Sequence, residues 1–281
     1  MNHLPADKQA MIFRCIAEGN SLRATSRLVG VSFNAVLRNF VRLGRACQDF
    51  QDKALSGLTC QRLQLDEVHS FVGVKEREAS PDQLQAGFGD TWTWTCLDAD
   101  TKLIVGWYVG ERDQAAAFDF LRLLRARVVN QPQISTDGHS AYPAAMQHVF
   151  GQDAPYGRVV KVYGYVPSPI RTRDQIYKCI GANKIIASGT PDPAHVSTSF
   201  SERSNLTIRM LNRRFTRLTN AFSKKVENHR LSLAITFMHY NFCRIHQTLR
   251  VTPAMEAGLT DHVWEVEEVV GLLRVAEAMA A

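Results

Sequence analysis

The sequence predicts an α/β protein: a mixed-sheet core, preceded by an all-α segment and followed by C-terminal helices. Three observations carry this prediction. Residues 1–50 hold helix caps and stops but no alternating apolar run. Residues 61–137 contain alternating stretches, QRLQLDEVHSFVGV, WTWTCLDADTKLIVGWYVG and QISTDG, broken by polar or helical sequence. From about Ser199 the pattern is helical and stays so toward the end of the chain.

In order, Pro5 starts a first helix that runs to about Glu18, where Gly19 stops it. Ser21 caps a second helix over Leu22–Val29, Gly30-Val31-Ser32 forms a tight turn, and Ser32 caps a third helix from Phe33. This is the spacing of a helix-turn-helix. On the third helix Val36, Leu37, Phe40 and Val41 group on one side, and Asn34, Arg38 and Arg42 on another. An Asn and two Arg on an exposed face can reach base edges and phosphates of DNA. The alternative is a three-helix bundle whose basic face is only solvated.

Residues 51–60 read as a linker. A strand over 61–74 follows, then a polar loop with Pro and Gly at 75–91. Two strands flank the Asp98-Ala99-Asp100 turn, and Gln114–Val129 has a helical pattern. QISTDG is a short strand, HSAYPAAMQHVF a helical turn, and VVKVYGYV another strand. Three strands, a helix, a strand, a helix and a strand are the order of a ribonuclease-H-like core. A flavodoxin-like layout would interleave helices from the start. The expected division is a helix-turn-helix domain at 1–50, a linker at 51–60, a ribonuclease-H-like catalytic domain at 61–230 and a helical extension at 231–281.

Charge and cysteine usage narrow the function. The net charge is +6, but its distribution says more. Residues 1–50 carry seven Lys or Arg against three acids, residues 203–230 eight against one, and residues 251–281 one against six. Two basic blocks suggest two surfaces for phosphate. The six cysteines are scattered with no Cys-x-x-Cys pair, which argues against a zinc ribbon and suits a reducing cytoplasm. The N-terminal residues show no signal-like apolar core, and no run is long enough to span a membrane. No Gly-rich phosphate loop and no Ser-His-Asp context stands out.

Asp66 falls in the middle of the first core strand and Asp137 at the end of the fourth. In a ribonuclease-H-like sheet those strands are neighbours, so both carboxylates can face one cleft. Glu202 opens a long basic helix that can cross the same edge. Along that helix Asn205, Arg209 and Arg213 share a side with Glu202, while Ile208, Leu211, Phe215 and Leu218 lie opposite. One side would seat on the sheet and the other would present an acid beside groups that hold a DNA backbone. An ordinary amphipathic surface helix is the alternative. Clustered acids imply a cation, because without one they repel and raise one another's pKa. Glu67 should point to the other face of its strand and is expected either to back the metal-holding residues or to be structural. Asp98 and Asp100 are explained by turn formation. His139, close to Asp137, can touch substrate or start the next helix, and His229, His239 and His246 do not fall at a zinc spacing.

Asp66 in LDEVHSF, Asp137 in STDGHSAY and Glu202 in STSFSERSNLTIR resemble the Asp-Asp-Glu signature of bacterial insertion-sequence transposases in the retroviral-integrase superfamily. Arg209, seven positions after Glu202, fits that pattern, and so does YNFCRIHQTLRVTPA at 240–254. RRFTRLTNAFSKKVENH at 213–229 is also similar to one bacterial subgroup. The resemblance implies three catalytic, metal-holding residues, Asp66, Asp137 and Glu202, with two Mg2+ or Mn2+ ions. It implies cleavage at transposon ends and attack of the freed 3′-hydroxyl on target DNA. It also implies double-stranded DNA partners, both terminal inverted repeats and target, and a homodimer or higher oligomer on paired ends. Two departures stand out. The zinc ribbon of some relatives is missing, and the interval from Asp137 to Glu202 is long, leaving room for an extra strand or loop at 155–195. A catalytically inactive DNA-binding regulator and a ribonuclease-H-like nuclease without strand transfer are the competing expectations.

Overall fold

The computed structural model describes the backbone of residues 4–167, 175–216 and 219–279, with side chains to residue 274. Three helices come first: α1 (Ala6–Ala17), α2 (Leu22–Val29) and α3 (Phe33–Ala54). The expected caps form. Ser21 Oγ accepts from the Ala24 amide at 3.1 Å, and Ser32 Oγ accepts from the Ala35 amide at 3.2 Å. Gly30 closes α2 at φ +68, a left-handed conformation that favours glycine.

A six-stranded mixed sheet follows, in the order β3-β2-β1-β4-β5-β6. Its strands are β1 (Arg62–Val72), β2 (Gly89–Asp98), β3 (Ile104–Gly110), β4 (Gln133–Asp137), β5 (Tyr156–Pro167) and β6 (Gln175–Ser188). β1, β2 and β3 pair antiparallel, while β4 pairs parallel with both β1 and β5. That order and those directions are compatible with a ribonuclease-H-like core. The short α4 (Pro81–Gln85) stands in the expected loop, held by a Ser80–Gln83 capping box. The helix α5 (Gln114–Arg127) leads from the edge strand β3 to β4, and α6 (Tyr142–Phe150) from β4 to β5. The chain ends with α7 (Ser199–Leu211), α8 (Val226–Met238), a π-helical turn at His239–Cys243, α9 (Pro253–Glu256) and α10 (Val266–Met279).

Two expectations need correction, while the long interval before Glu202 does hold the extra strand that the sequence left room for. Residues 51–60 do not behave as a linker. α3 runs on to Ala54, Leu55, Leu58 and Cys60 are buried, and Asn130 grips both backbone groups of Cys60. The interval before Glu202 holds β6, the partner of β5 in a long antiparallel ribbon. The ribbon lies largely outside the core, so burial imposed no apolar alternation on β6. The basic helix is also shorter than expected. α7 ends at Leu211 and Asn212 turns extended, so Arg213 and Phe215 sit in a separate 3-10 turn. Leu218 lies outside the described residues.

The first fifty residues are fused to the rest. Gln51 Nε2 donates to the Ala234 carbonyl at 2.9 Å, and Arg45 and Arg14 pair with Glu227 and Glu267. α1, α3, the sheet, α5, α6, α8 and α10 share one apolar cluster. A second cluster joins Val68, Leu97 and Ile104 of the sheet to Ile208 of α7 and to Leu233 and Phe237 of α8.

Candidate functional site

The parallel pairing of β1 and β4 matches Arg62 with Gln133, Leu63 with Ile134 and Gln64 with Ser135. Continued two residues, that register sets Asp66 level with Asp137, where β4 ends. Level residues of parallel strands project from the same face. That face also receives α7. Gln64 Oε1 accepts from the Phe200 and Ser201 amides at 2.8 and 3.2 Å, and Ser135 Oγ accepts from the Ser197 amide at 3.4 Å.

Asp66 is held from two sides. Its Oδ1 accepts from the Glu67 amide at 2.8 Å, and its Oδ2 accepts from Asn205 Nδ2 at 2.7 Å. Burial pushes the Asp66 carboxyl up to about 6, opposed by the Glu67 amide and reinforced by the charges of Asp137 and Glu202. Asp137 is fixed by its turn. Its Oδ1 accepts from the His139 amide at 2.8 Å, and Arg158 donates to the Gly138 carbonyl at 2.6 Å.

Glu67, expected to back the metal-holding residues or to be structural, brings one of its carboxylate oxygens into the set. Ligand atoms from Asp66, Glu67 and Asp137 all lie within 4.8 Å of one another. The Glu67 side chain is 1% exposed and pairs with Arg112 at 3.3 Å through Oε2. Its Oε1 is buried without a hydrogen-bond partner. The Tyr142 hydroxyl stands beside it, short of full hydrogen-bond geometry, and still restrains its pKa. Burial dominates and lifts Glu67 to about 7, with Asp137 and Asp66 adding to the rise. Alternation along a strand predicts the face but not the reach of a long side chain where the next strand stops, and Glu67 uses that opening.

Glu202 projects from the first turn of α7 and stands outside the tight set. Its Oε1 accepts from Thr198 Oγ1 at 2.9 Å and pairs with Lys161 Nζ at 2.9 Å. Glu202 and Lys161 both act on the charge of Asp66, so they border the same cleft. Lys161, on the ribbon, is a neighbour that sequence spacing did not point to.

The expected DNA-contacting residues separate into groups. Asn34 and Arg38 are exposed near the start of α3, and Arg42 one turn on is half-buried. Asn205 is corrected: it is buried and grips Asp66, so it is not a surface contact. Arg209 is half-buried on α7, and Arg213 has left the helix and its expected line. No protein-family model matches this chain, and no curated protein matches it.

Proposed function

We propose that this chain is a DNA transposase, which cleaves at the ends of a mobile element and joins the freed ends to target DNA. One observation carries the reading: the carboxylates of Asp66, Glu67 and Asp137 converge within 4.8 Å at the end of β4. Three acids crowded this way, two of them with raised pKa, call for a cation. The donors are all oxygen, and the buried Glu67 Oε1 is unpartnered. That set suits a hard divalent ion. Asp66 and Asp137 would hold it, with Glu67 behind and Glu202 on the open side. When bound, Mg2+ or Mn2+, two ions in this reading, would supply an activated oxygen nucleophile and stabilise the leaving oxygen.

The chain's own residues position that chemistry. Asn205 and the Glu67 amide each fix one oxygen of Asp66. Lys161 balances Glu202, and either partner can release the other to an incoming phosphate or cation. The exposed Asn34 and Arg38, with Arg42, form the surface proposed to read duplex DNA as a helix-turn-helix. Arg209 and Arg213 are proposed to hold the backbone of the cleaved strand. The partners are the element's terminal inverted repeats and a target duplex, engaged by two or more copies of the chain.

The test is a strand-transfer assay with the full chain, Mg2+ or Mn2+, and DNA bearing the ends of its own element. Asp66→Asn, Asp137→Asn and Glu202→Gln are each expected to abolish nicking and joining while end binding persists. Wild-type strand transfer by Glu202→Gln would remove Glu202 from the site. Nicking without joining would make the chain a plain nuclease, and end binding without either reaction would make it a regulator.

A further inference from the structure

α7 has two working sides. Glu202 and Asn205 face the acids, while Phe200, Arg203 and Thr207 line a cavity of about 390 Å³. The opposite walls come from Lys102 after the β2–β3 turn and from Tyr240, Arg244, Ile245 and His246. The last four belong to the 240–254 block, which the acid cluster does not use.

Four cation-forming side chains converge there, and no carboxylate lines the cavity. Arg203 and Arg244 are exposed, and neither makes an ion pair among the described residues. Asp98 and Asp100 act on Lys102, but Asp98 accepts from Thr101 and Asp100 is bound by Arg62. Burial disfavours a charge on His246, and Lys102 and Arg244 add to it. Lys102 also holds a left-handed backbone at φ +61, uncommon for a residue with a Cβ, and its ammonium lies 3.6 Å from the Phe200 ring centroid. Phe200 remains 41% exposed, and Tyr240 and Ile245 extend the apolar wall. A cavity of this size admits a single nucleotide but not a duplex, which could only lie across its mouth.

We propose that this pocket takes one nucleotide of an unpaired DNA strand, with its phosphate between Arg203, Arg244 and Lys102 and its base against Phe200. The proposal rests on the chain acting on DNA and adds a second strand site across α7 from the acids. Guanidinium pairs suit phosphate, and an aromatic face accepts any base.

The experiment measures anisotropy of a short labelled oligothymidylate with the full chain in EDTA, over a range of salt. Arg203→Glu and Arg244→Glu should each weaken binding roughly tenfold and lower the salt slope by about one. Phe200→Ala should weaken oligothymidylate binding by roughly tenfold but leave an abasic strand unaffected. All three side chains are exposed, and matching melting temperatures will show the variants folded. Wild-type affinity and salt slope in both Arg variants would overturn the proposal. So would thymidine monophosphate binding as tightly as the strand, because the site would then serve free nucleotides. Loss of metal-dependent nicking has no bearing on this measurement in EDTA, so the two readings fail separately.

Discussion

Glu67 shows how one residue can be poor for folding and useful to a site. Its pKa is raised from the ordinary 4.5 to about 7, chiefly by burial. A carboxyl raised this way leaves stability intact below pH 4.5, and stability is lost as pH rises through about 7. Asp66, raised to about 6, acts in the same sense. In EDTA at pH 8, Glu67→Gln and Asp66→Asn should therefore stabilise the chain, by on the order of 1–3 kcal/mol. The gain should fade as the pH drops below 5, and, on the proposed function, Mn2+ should raise the melting temperature of the wild type but of neither variant. Destabilisation at pH 8 by both variants would contradict the burial account. His229 behaves oppositely. It is buried against Phe215 and Ser70, and its pKa is pushed down to about 3 by burial and by Arg214 and Arg230. Its contribution is present above pH 6.5 and is lost as pH falls toward 3. Chemical denaturation across that window should show a fall approaching about 1.4 kcal/mol per pH unit from this group alone, and His229→Asn should flatten it.

At the scale of elements, α7 and α3 show where sequence patterns were legible and where they stopped. Asp66 and Asp137 were legible because strand identity and parallel register put them level. Asn205 was not, because a helix wheel gives an angle and not what lies at that angle: its side faces Asp66, not solvent. Arg213 was extrapolated past the true helix end. Asn212 leaves the helix, caps the next turn through the Arg214 amide, and donates to Ser232 and Thr236 of α8. Asn212→Ala would remove the donor to those α8 hydroxyls, which keep their own bonds to the His229 and Ser232 carbonyls, and should cost about 1–2 kcal/mol in denaturant unfolding. The α3–α8 contact depends on Gly44, where an added Cβ would come 2.7 Å from Leu231 Cβ. Gly44→Ala should destabilise the chain by about 1–3 kcal/mol, despite its better helix propensity. An unchanged midpoint would mean that α3 and α8 pack less closely than described.

Over the whole molecule, the expected division into separable segments gives way to continuity. α3 and α8 share a core, α1 meets α10, and the end of α1 abuts the end of α7 at Gly19, whose added Cβ would lie 3.2 Å from the Leu211 carbonyl oxygen. A chain begun at residue 51 would expose that apolar face of α8 and α10. It is expected to aggregate or bind a hydrophobic dye, and the full chain to melt in one transition. Separate melting of residues 1–50 would overturn this. The order of the first helices was readable because Ser21 and Ser32 cap α2 and α3 and Gly30 ends α2. The fusion was not, because the apolar side of a short helix says that it is covered without saying by what.

α3 spans 22 residues, about 33 Å of rigid rod. One side of its first two turns, with Asn34 and Arg38, faces solvent while Ala35 and Val36 are buried, and its last half is set in the core beside α8 and α5. Whatever grips the outer end gains a lever and not a tether. A partner held there has a fixed bearing and distance to the carboxylates, with no slack to search for them. Under the proposed function, the position at which the chain acts on DNA would then be set like a ruler mark, by the length of one helix.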